Sequence, residues 1–232
     1  MKSLNCLPSA VLGLPSTVFG WPSAALGLRS AVWAVALMLA GAAQAAAPAK
    51  PAFKPDLAKG QAIVTQVCEA CHTADGTRGA PANPIIAGQH PDYLLKQLQE
   101  FKTGKRKNPV MASFAATMSD DDMRHVAAFY GSKSAKSGAA KNKVTLQLGE
   151  RIWRGGIAEK TIPACAGCHG PTGKGIPSQY PRLAGQHGDY SEAQMLGFRS
   201  GARGNSTQMS TIAAKMNDLE IKAVSDYAAG LQ

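Results

Sequence analysis

Cys68-Glu69-Ala70-Cys71-His72 is written a second time as Cys165-Ala166-Gly167-Cys168-His169, 97 residues further on (68 to 165). Two cysteines three residues apart project from the same side of one helical turn. They can form thioethers with the two vinyl groups of a single haem, and the following His then lies under the iron as a nitrogen ligand. Two other uses of such cysteines compete. A redox Cys-x-x-Cys does not require the trailing His, and a zinc site needs further Cys or His at matching spacing. Apart from Cys6 near the N-terminus, the two motifs use every cysteine in the chain, so no other soft ligand remains. The motifs therefore imply two covalently attached haem c groups. Cys68, Cys71, Cys165 and Cys168 supply the thioethers, with His72 and His169 on the irons.

The repetition extends well beyond the motifs. The same offset carries Pro84 onto Pro181 and Ala87-Gly88-Gln89-His90 onto Ala184-Gly185-Gln186-His187. It also carries Tyr93, Gln97, Phe101, Gly104, Arg106 and Asn108 onto Tyr190, Gln194, Phe198, Gly201, Arg203 and Asn205. One inserted residue then moves the register, so that Met111 and Met118 fall on Met209 and Met216. Upstream, Gly60 matches Gly149, which leaves the second copy a longer approach to its first cysteine. Two homologous lobes follow, at 55–131 and 145–232. The stretch 132–144 between them, rich in Ser, Gly and Lys without apolar periodicity, reads as a solvated linker.

Both lobes read as helical. Ser119 is a candidate N-cap followed by Asp120, Asp121 and Asp122, with a stop at Gly131. Asn217 with Glu220 three residues on has the form of a capping box. Middle helices are expected to start near Pro91 and Asp189 and to end at Gly104 and Gly201. No period-two alternation runs long enough for a sheet, so the fold class is all-α.

A second strong iron ligand favours electron transfer, whereas an open position favours small-molecule chemistry. Met111 and Met209 stand at matched places after the two motifs, and Met118 and Met216 follow seven residues later in each lobe. The later pair sits just before an N-cap, with Met123 and Ile221 four residues into the helix. That is the arrangement of a hydrophobic staple. Met111 and Met209, expected in irregular segments, are then the candidate axial ligands. The alternative ligands, His90 and His187, lie only 18 residues after the motif histidines (72 to 90). They are expected instead to bond propionates, backbone or solvent. Pro84 and Pro181 are candidates to accept the free N–H of the axial histidines, fixing their orientation, or are turn prolines. His125 has no counterpart and is expected on a helix surface.

Composition fits this picture. The 6% aromatic content makes a marginal core for lobes of this size, and a buried cofactor would supply apolar volume. Arg29, the apolar run from Ala31 to Gly41 and Ala43-Gln44-Ala45 read as a cleaved export signal over 1–45. The run is shorter than a membrane span. The residues ahead of Arg29 are expected to reflect an over-extended start, a true extension being the alternative. Cleavage takes Lys2 and Arg29 from the 25 basic residues and none of the 15 acidic ones, so the formal +10 remains strongly positive. Export and the lack of a basic face interleaved with aromatics argue against nucleic acid. Lys133, Lys136, Lys141 and Lys143 cluster in the linker, where they are solvated or steer a partner.

The two haem motifs, the Ala-Gly-Gln-His stretches, Tyr-Leu-Leu-Lys-Gln-Leu-Gln from Tyr93, Arg106-Lys-Asn-Pro-Val-Met111 and Arg151-Ile-Trp-Arg-Gly-Gly156 together resemble the dihaem cytochrome c4 family over 55–232. The resemblance implies two tandem class I cytochrome c lobes related by a pseudo-twofold axis, with propionates near the seam. It also implies His/Met ligation at both irons through His72, Met111, His169 and Met209. It implies a monomeric electron carrier that is no enzyme, periplasmic or held at the membrane surface, working between a cytochrome bc complex and a terminal oxidase. The cytochrome subunit of a flavocytochrome sulfide dehydrogenase or of an oxidase complex is the alternative, with a flavoprotein as partner in the first case. A dihaem peroxidase or thiosulfate-oxidising enzyme ranks third.

Overall fold

The computed structural model describes residues 53–232, so the export signal expected at 1–45 lies outside the described residues. In the first lobe α1 (Leu57–Ile63) continues through a π-helical turn, Val64–Cys68, into α2 (Glu69–His72). Then come α3 (Pro91–Lys102), α4 (Pro109–Thr117) and α5 (Asp120–Gly131). The second lobe repeats the order as α6 (Leu146–Gly155), α7 (Ala166–His169), α8 (Gly188–Ser200), α9 (Thr207–Ala214) and α10 (Asp218–Ala229). Its longer approach to the cysteines is a 3₁₀ turn, Ala158–Lys160, within a bridge pairing Ile157 with Ile162. Among the described residues there is no strand beyond isolated bridges.

In each lobe the first helix crosses the last, α1 on α5 and α6 on α10. The matched glycines make the crossings possible. A Cβ on Gly60 would meet the His125 carbonyl and lie 2.9 Å from Phe129 Cβ; one on Gly149 would meet the Ala223 carbonyl and lie 2.7 Å from Tyr227 Cβ. The last helices begin as their sequences predict. Ser119 and Asn217 both form capping boxes, with Asp122 and Glu220 respectively. Met118 and Met123 are buried in the first core, and Met216 and Ile221 in the second. Those pairs are the staples that fix how each chain enters its last helix.

Three expectations need correcting. Met111 and Met209 are not in irregular backbone: each is the third residue of a short helix, α4 or α9. Asn108 followed by Pro109, and Ser206 in the other lobe, supply caps strong enough to start a helix over so few residues. His125 is buried, with its Nδ1 accepting from the Asp56 N–H at 2.9 Å, which ties the start of α1 to α5. The 132–144 stretch keeps Lys136, Lys141 and Lys143 exposed, as a solvated linker would, but its backbone is anchored at several points. Asp226 accepts from the Lys141 and Asn142 N–H groups at 2.8 and 3.0 Å, and Gly138 passes close to Gly185. The Lys133 ammonium lies 3.9 Å over the Phe129 ring.

Candidate haem-binding sites

Both motifs occupy a short helix ending in the histidine, α2 and α7. Cys68 and Cys165 are partly buried and Cys71 exposed, and none of the four is in a disulfide. Burial pushes both the Cys68 and Cys165 thiols up to about 11. These are not the low-pKa thiols of a redox Cys-x-x-Cys site. No cluster of three or more metal-ligating side chains occurs among the described residues, as a zinc site would need.

The histidines are held alike. His72 Nδ1 lies 3.1 Å from the Pro84 carbonyl and His169 Nδ1 3.0 Å from the Pro181 carbonyl. A carbonyl can only accept, so the proton sits on Nδ1 and Nε2 keeps its lone pair for a metal. Burial holds both imidazoles below their ordinary range, and the carbonyls work against it. Neutral, oriented imidazole beside paired thiols is the donor set that haem c requires, so these residues fit the group.

The methionines are also presented alike. The Met111 N–H donates to Asn108 Oδ1 at 3.0 Å and the Met209 N–H to Ser206 Oγ at 3.4 Å. Each Met therefore stands at the N3 position of a capped turn. Met111 packs against the first core alongside Cys68, and Met209 is partly buried.

The polar residues that recur between the lobes meet at the seam. Gln89 donates to the Arg182 carbonyl and accepts from its N–H, both at 2.9 Å. Gln186 does the same to Ile85, at 2.9 and 2.8 Å. Arg106 stacks on Phe101 and reaches Gln97 at 2.7 Å, Tyr190 at 2.8 Å and Gln194 at 2.8 Å. Arg203 mirrors it on Phe198, reaching Gln194 at 2.8 Å, Tyr93 at 3.1 Å and Gln97 at 3.3 Å. His90 bonds backbone, as expected, with Nε2 3.0 Å from the Lys174 carbonyl of the other lobe. His187 Nε2 and Gln97 Nε2 are buried with no partner among the described residues. Apart from the two histidines, sequence reading found these residues recurring but gave them no role. Their signal was the recurrence of Gln, Tyr and Arg, polar types that a lobe does not need for its own core.

Two motifs, two lobes and one shared polar seam define a tandem c-type cytochrome carrying two covalently bound haem c groups. Comparison with known proteins refines that class. Residues 55–129 match the family described as cytochrome c oxidase, cbb3-type, subunit III, and residues 158–232 match the cytochrome c family. Cytochrome c4 of Pseudomonas aeruginosa is 42% identical over 180 residues, covering 76% of this chain and 89% of that protein. A thiosulfate dehydrogenase electron acceptor of Stutzerimonas stutzeri is 38% identical over 187 residues, covering 75% and 87%. The crystal structure of reduced cytochrome c4 from Pseudomonas stutzeri superposes with a TM-score of 0.73 at 38% identity, covering 77% of this chain and 100% of that one. The chain belongs to the cytochrome c4 family, and is a dihaem electron-transfer protein of that kind.

Proposed function

We propose that this protein is a periplasmic electron carrier with both irons ligated by His and Met, His72 with Met111 and His169 with Met209. It takes electrons from a cytochrome bc complex and passes them to a terminal oxidase, and catalyses no reaction of its own. The observation that carries the ligation is the equivalence of the two methionines. Each is N3 of a short capped helix, although an inserted residue separates the registers of the two lobes. Random core filling by Met would not keep that position.

Haem c, when bound at each motif, supplies a one-electron ferric/ferrous couple. The chain's own residues do the rest. Pro84 and Pro181 hold each imidazole as the Nδ1–H tautomer, and Asn108 and Ser206 fix the turns that present the thioethers. Gln97 Nε2 and His187 Nε2 are donors suited to propionate oxygens at the seam. The same reading places the signal at 1–45, the first domain at 55–131, the linker at 132–144 and the second domain at 145–232. The family matches at 55–129 and 158–232 support that division. No helix among the described residues is long and apolar enough to cross a membrane.

The test is the weak red-edge absorption band that reports Met sulfur on ferric haem, read in wild type, Met111→Ala and Met209→Ala. Wild type should show two haems' worth and each variant half of that. One haem's worth or none in wild type would sink the ligation and move a catalytic reading ahead. A second donor is favoured by the relative whose name makes it an electron acceptor of thiosulfate dehydrogenase. Mixing the oxidised protein with a thiosulfate dehydrogenase and thiosulfate should then produce the reduced haem spectrum, which thiosulfate alone should not.

A further inference from the structure

The internal repeat allows each lobe to serve as a control for the other. Around the proposed ligand helices the two differ in concert. Next to Met111, Val110 is 59% and Phe114 41% exposed on the outer side of α4. Lys105 and Lys107 precede them and are both exposed. The matched positions of the second lobe are Ala202, Gly204, Gln208 and Ile212. The first three are exposed and carry neither charge nor large apolar surface, and Ile212 packs against the second core. At these matched positions one lobe thus exposes two apolar side chains and two lysines where the other exposes neither.

The lysines are partly free to meet a partner. Lys105 Nζ lies 3.3 Å from Glu100, and Lys107 makes no ion pair among the described residues. Glu100, the acid that meets Lys105, is itself largely buried, and the exposed acids Asp120 and Asp121 open α5 beyond the far end of α4. The border is therefore positive at the N-terminal end of the patch and negative at the other, which would orient a partner as well as attract it. Exposed apolar side chains beside separated lysines fit a face with an apolar centre and carboxylates around it.

We infer that the Lys105, Lys107, Val110 and Phe114 face of the first lobe is the docking surface for an acidic redox protein. Electrons are exchanged with that partner through the first lobe and not the second. The inference rests on the carrier reading above and adds the partner's chemistry and the lobe that meets it. Attraction between such faces raises encounter rates by about tenfold or more and weakens as salt shortens the Debye length.

The experiment uses the full haem-loaded protein on two electrodes. One is gold coated with mixed carboxylate- and methyl-terminated alkanethiols, as a stand-in for the partner face; the other carries a hydroxyl-terminated layer. A triple variant, Lys105→Ala, Lys107→Gly and Val110→Gln, gives the first lobe the second lobe's residues at three of the four positions and leaves Phe114. The reciprocal variant, Ala202→Lys, Gly204→Lys and Gln208→Val, is made in that background. Interfacial electron exchange of the first variant should slow about tenfold on the carboxylate/methyl layer and lose its salt dependence, with no change on the hydroxyl layer. Transplanting the residues to the second lobe should restore the rate to within about threefold. An unchanged rate for the first variant on the acidic layer, or an equal loss on both layers, overturns the inference. A wild type with no reversible couple on either layer overturns the carrier reading itself, and the docking inference with it.

Discussion

Replacing Gln186 by Ala removes one side chain and strands three buried backbone groups, the His187 N–H at 3.0 Å among them. Its amide closes on the Ile85 N–H at 2.8 Å and the Ile85 carbonyl at 2.9 Å, and Ile85 is 7% exposed. Leaving a buried donor or acceptor without a partner costs about 1–3 kcal/mol each. Returning rotamer freedom to one side chain offsets about 1 kcal/mol. Three such groups less the rotamer gain give an expected loss of at least about 2 kcal/mol, a large share of the stability of a domain this size. Gln89→Ala makes the same deletion on the other side of the pseudo-twofold. There the partner is Arg182, which is only partly buried. Water can replace the lost bonds at that position, so the cost should be nearer 1 kcal/mol. Gln186→Glu keeps the size but turns a carboxylate toward the Ile85 carbonyl, and should be no better than Ala. The assay is urea unfolding of the oxidised holoprotein, followed at the Soret band and in the far-ultraviolet circular dichroism. A weakened seam should also split one transition into two, with a smaller slope for each. Gln186→Ala within about 0.5 kcal/mol of wild type, or less damaging than Gln89→Ala, would refute this account of the seam.

Three further outcomes follow from the same structure. Gly60→Ala and Gly149→Ala should each cost about 1–3 kcal/mol by forcing apart a helix crossing, even after gaining about 1 kcal/mol of helix propensity. Gly155→Ala, where nothing lies within 4 Å, should be neutral or slightly stabilising by the same unfolding measurement. The Asp75 carboxyl is lowered to about 2, chiefly by the Thr77 hydroxyl, with the Thr77 N–H, the Thr73 hydroxyl and Lys136 adding to it. Its folded value is below the unfolded one, so its contribution is full above about pH 4 and is lost as pH falls toward 2. The group is half exposed, which limits the effect to about 1 kcal/mol. Asp75→Asn should flatten the acid limb of stability against pH over that window and leave pH 7 to 5 parallel to wild type.

Local patterns in the sequence were legible because the physics behind them is local. A capping box needs residues three apart, and Ser119 with Asp122 and Asn217 with Glu220 satisfy it within one turn. The haem motif likewise fits in one turn. The matched glycines were legible only as part of the repeat, and the close helix crossing each permits came from the structure. The misreadings were of another kind. The helices carrying Met111 and Met209 are short and weakly amphipathic, so their existence rests on caps and packing more than on periodicity. His125 is buried because Asp56 and Phe53 fold back over it, a contact between residues about seventy positions apart (56 to 125). The linker's composition says nothing of Asp226, whose carboxylate gathers its backbone N–H groups. Gln89 and Gln186 were visible as repeats, yet their partners lie in the opposite copy, where no local pattern reaches.

The seam is symmetric in its arginines, tyrosines and glutamines, and one inserted residue breaks that symmetry. In the first lobe Asn108 is spent as the N-cap of α4, bonding the Met111 N–H. In the second lobe the insertion puts Ser206 in the cap position, and the matched Asn205 is released. Its amide turns into the seam and donates to Gln97 at 2.9 Å and Glu100 at 2.6 Å. Glu100 itself has no counterpart, since Gly197 stands in its place. The Glu100 carboxylate, held by Lys96, Lys105 and Asn205, therefore sits on the first lobe's side of the seam with no equivalent opposite. The same lobe carries the lysines and apolar side chains of the inferred docking face, and Lys105 belongs to both sets. The insertion thus does more than lengthen a loop. It frees a capping residue to secure a charge that only one lobe has, and so makes two copies of one unit inequivalent where they meet.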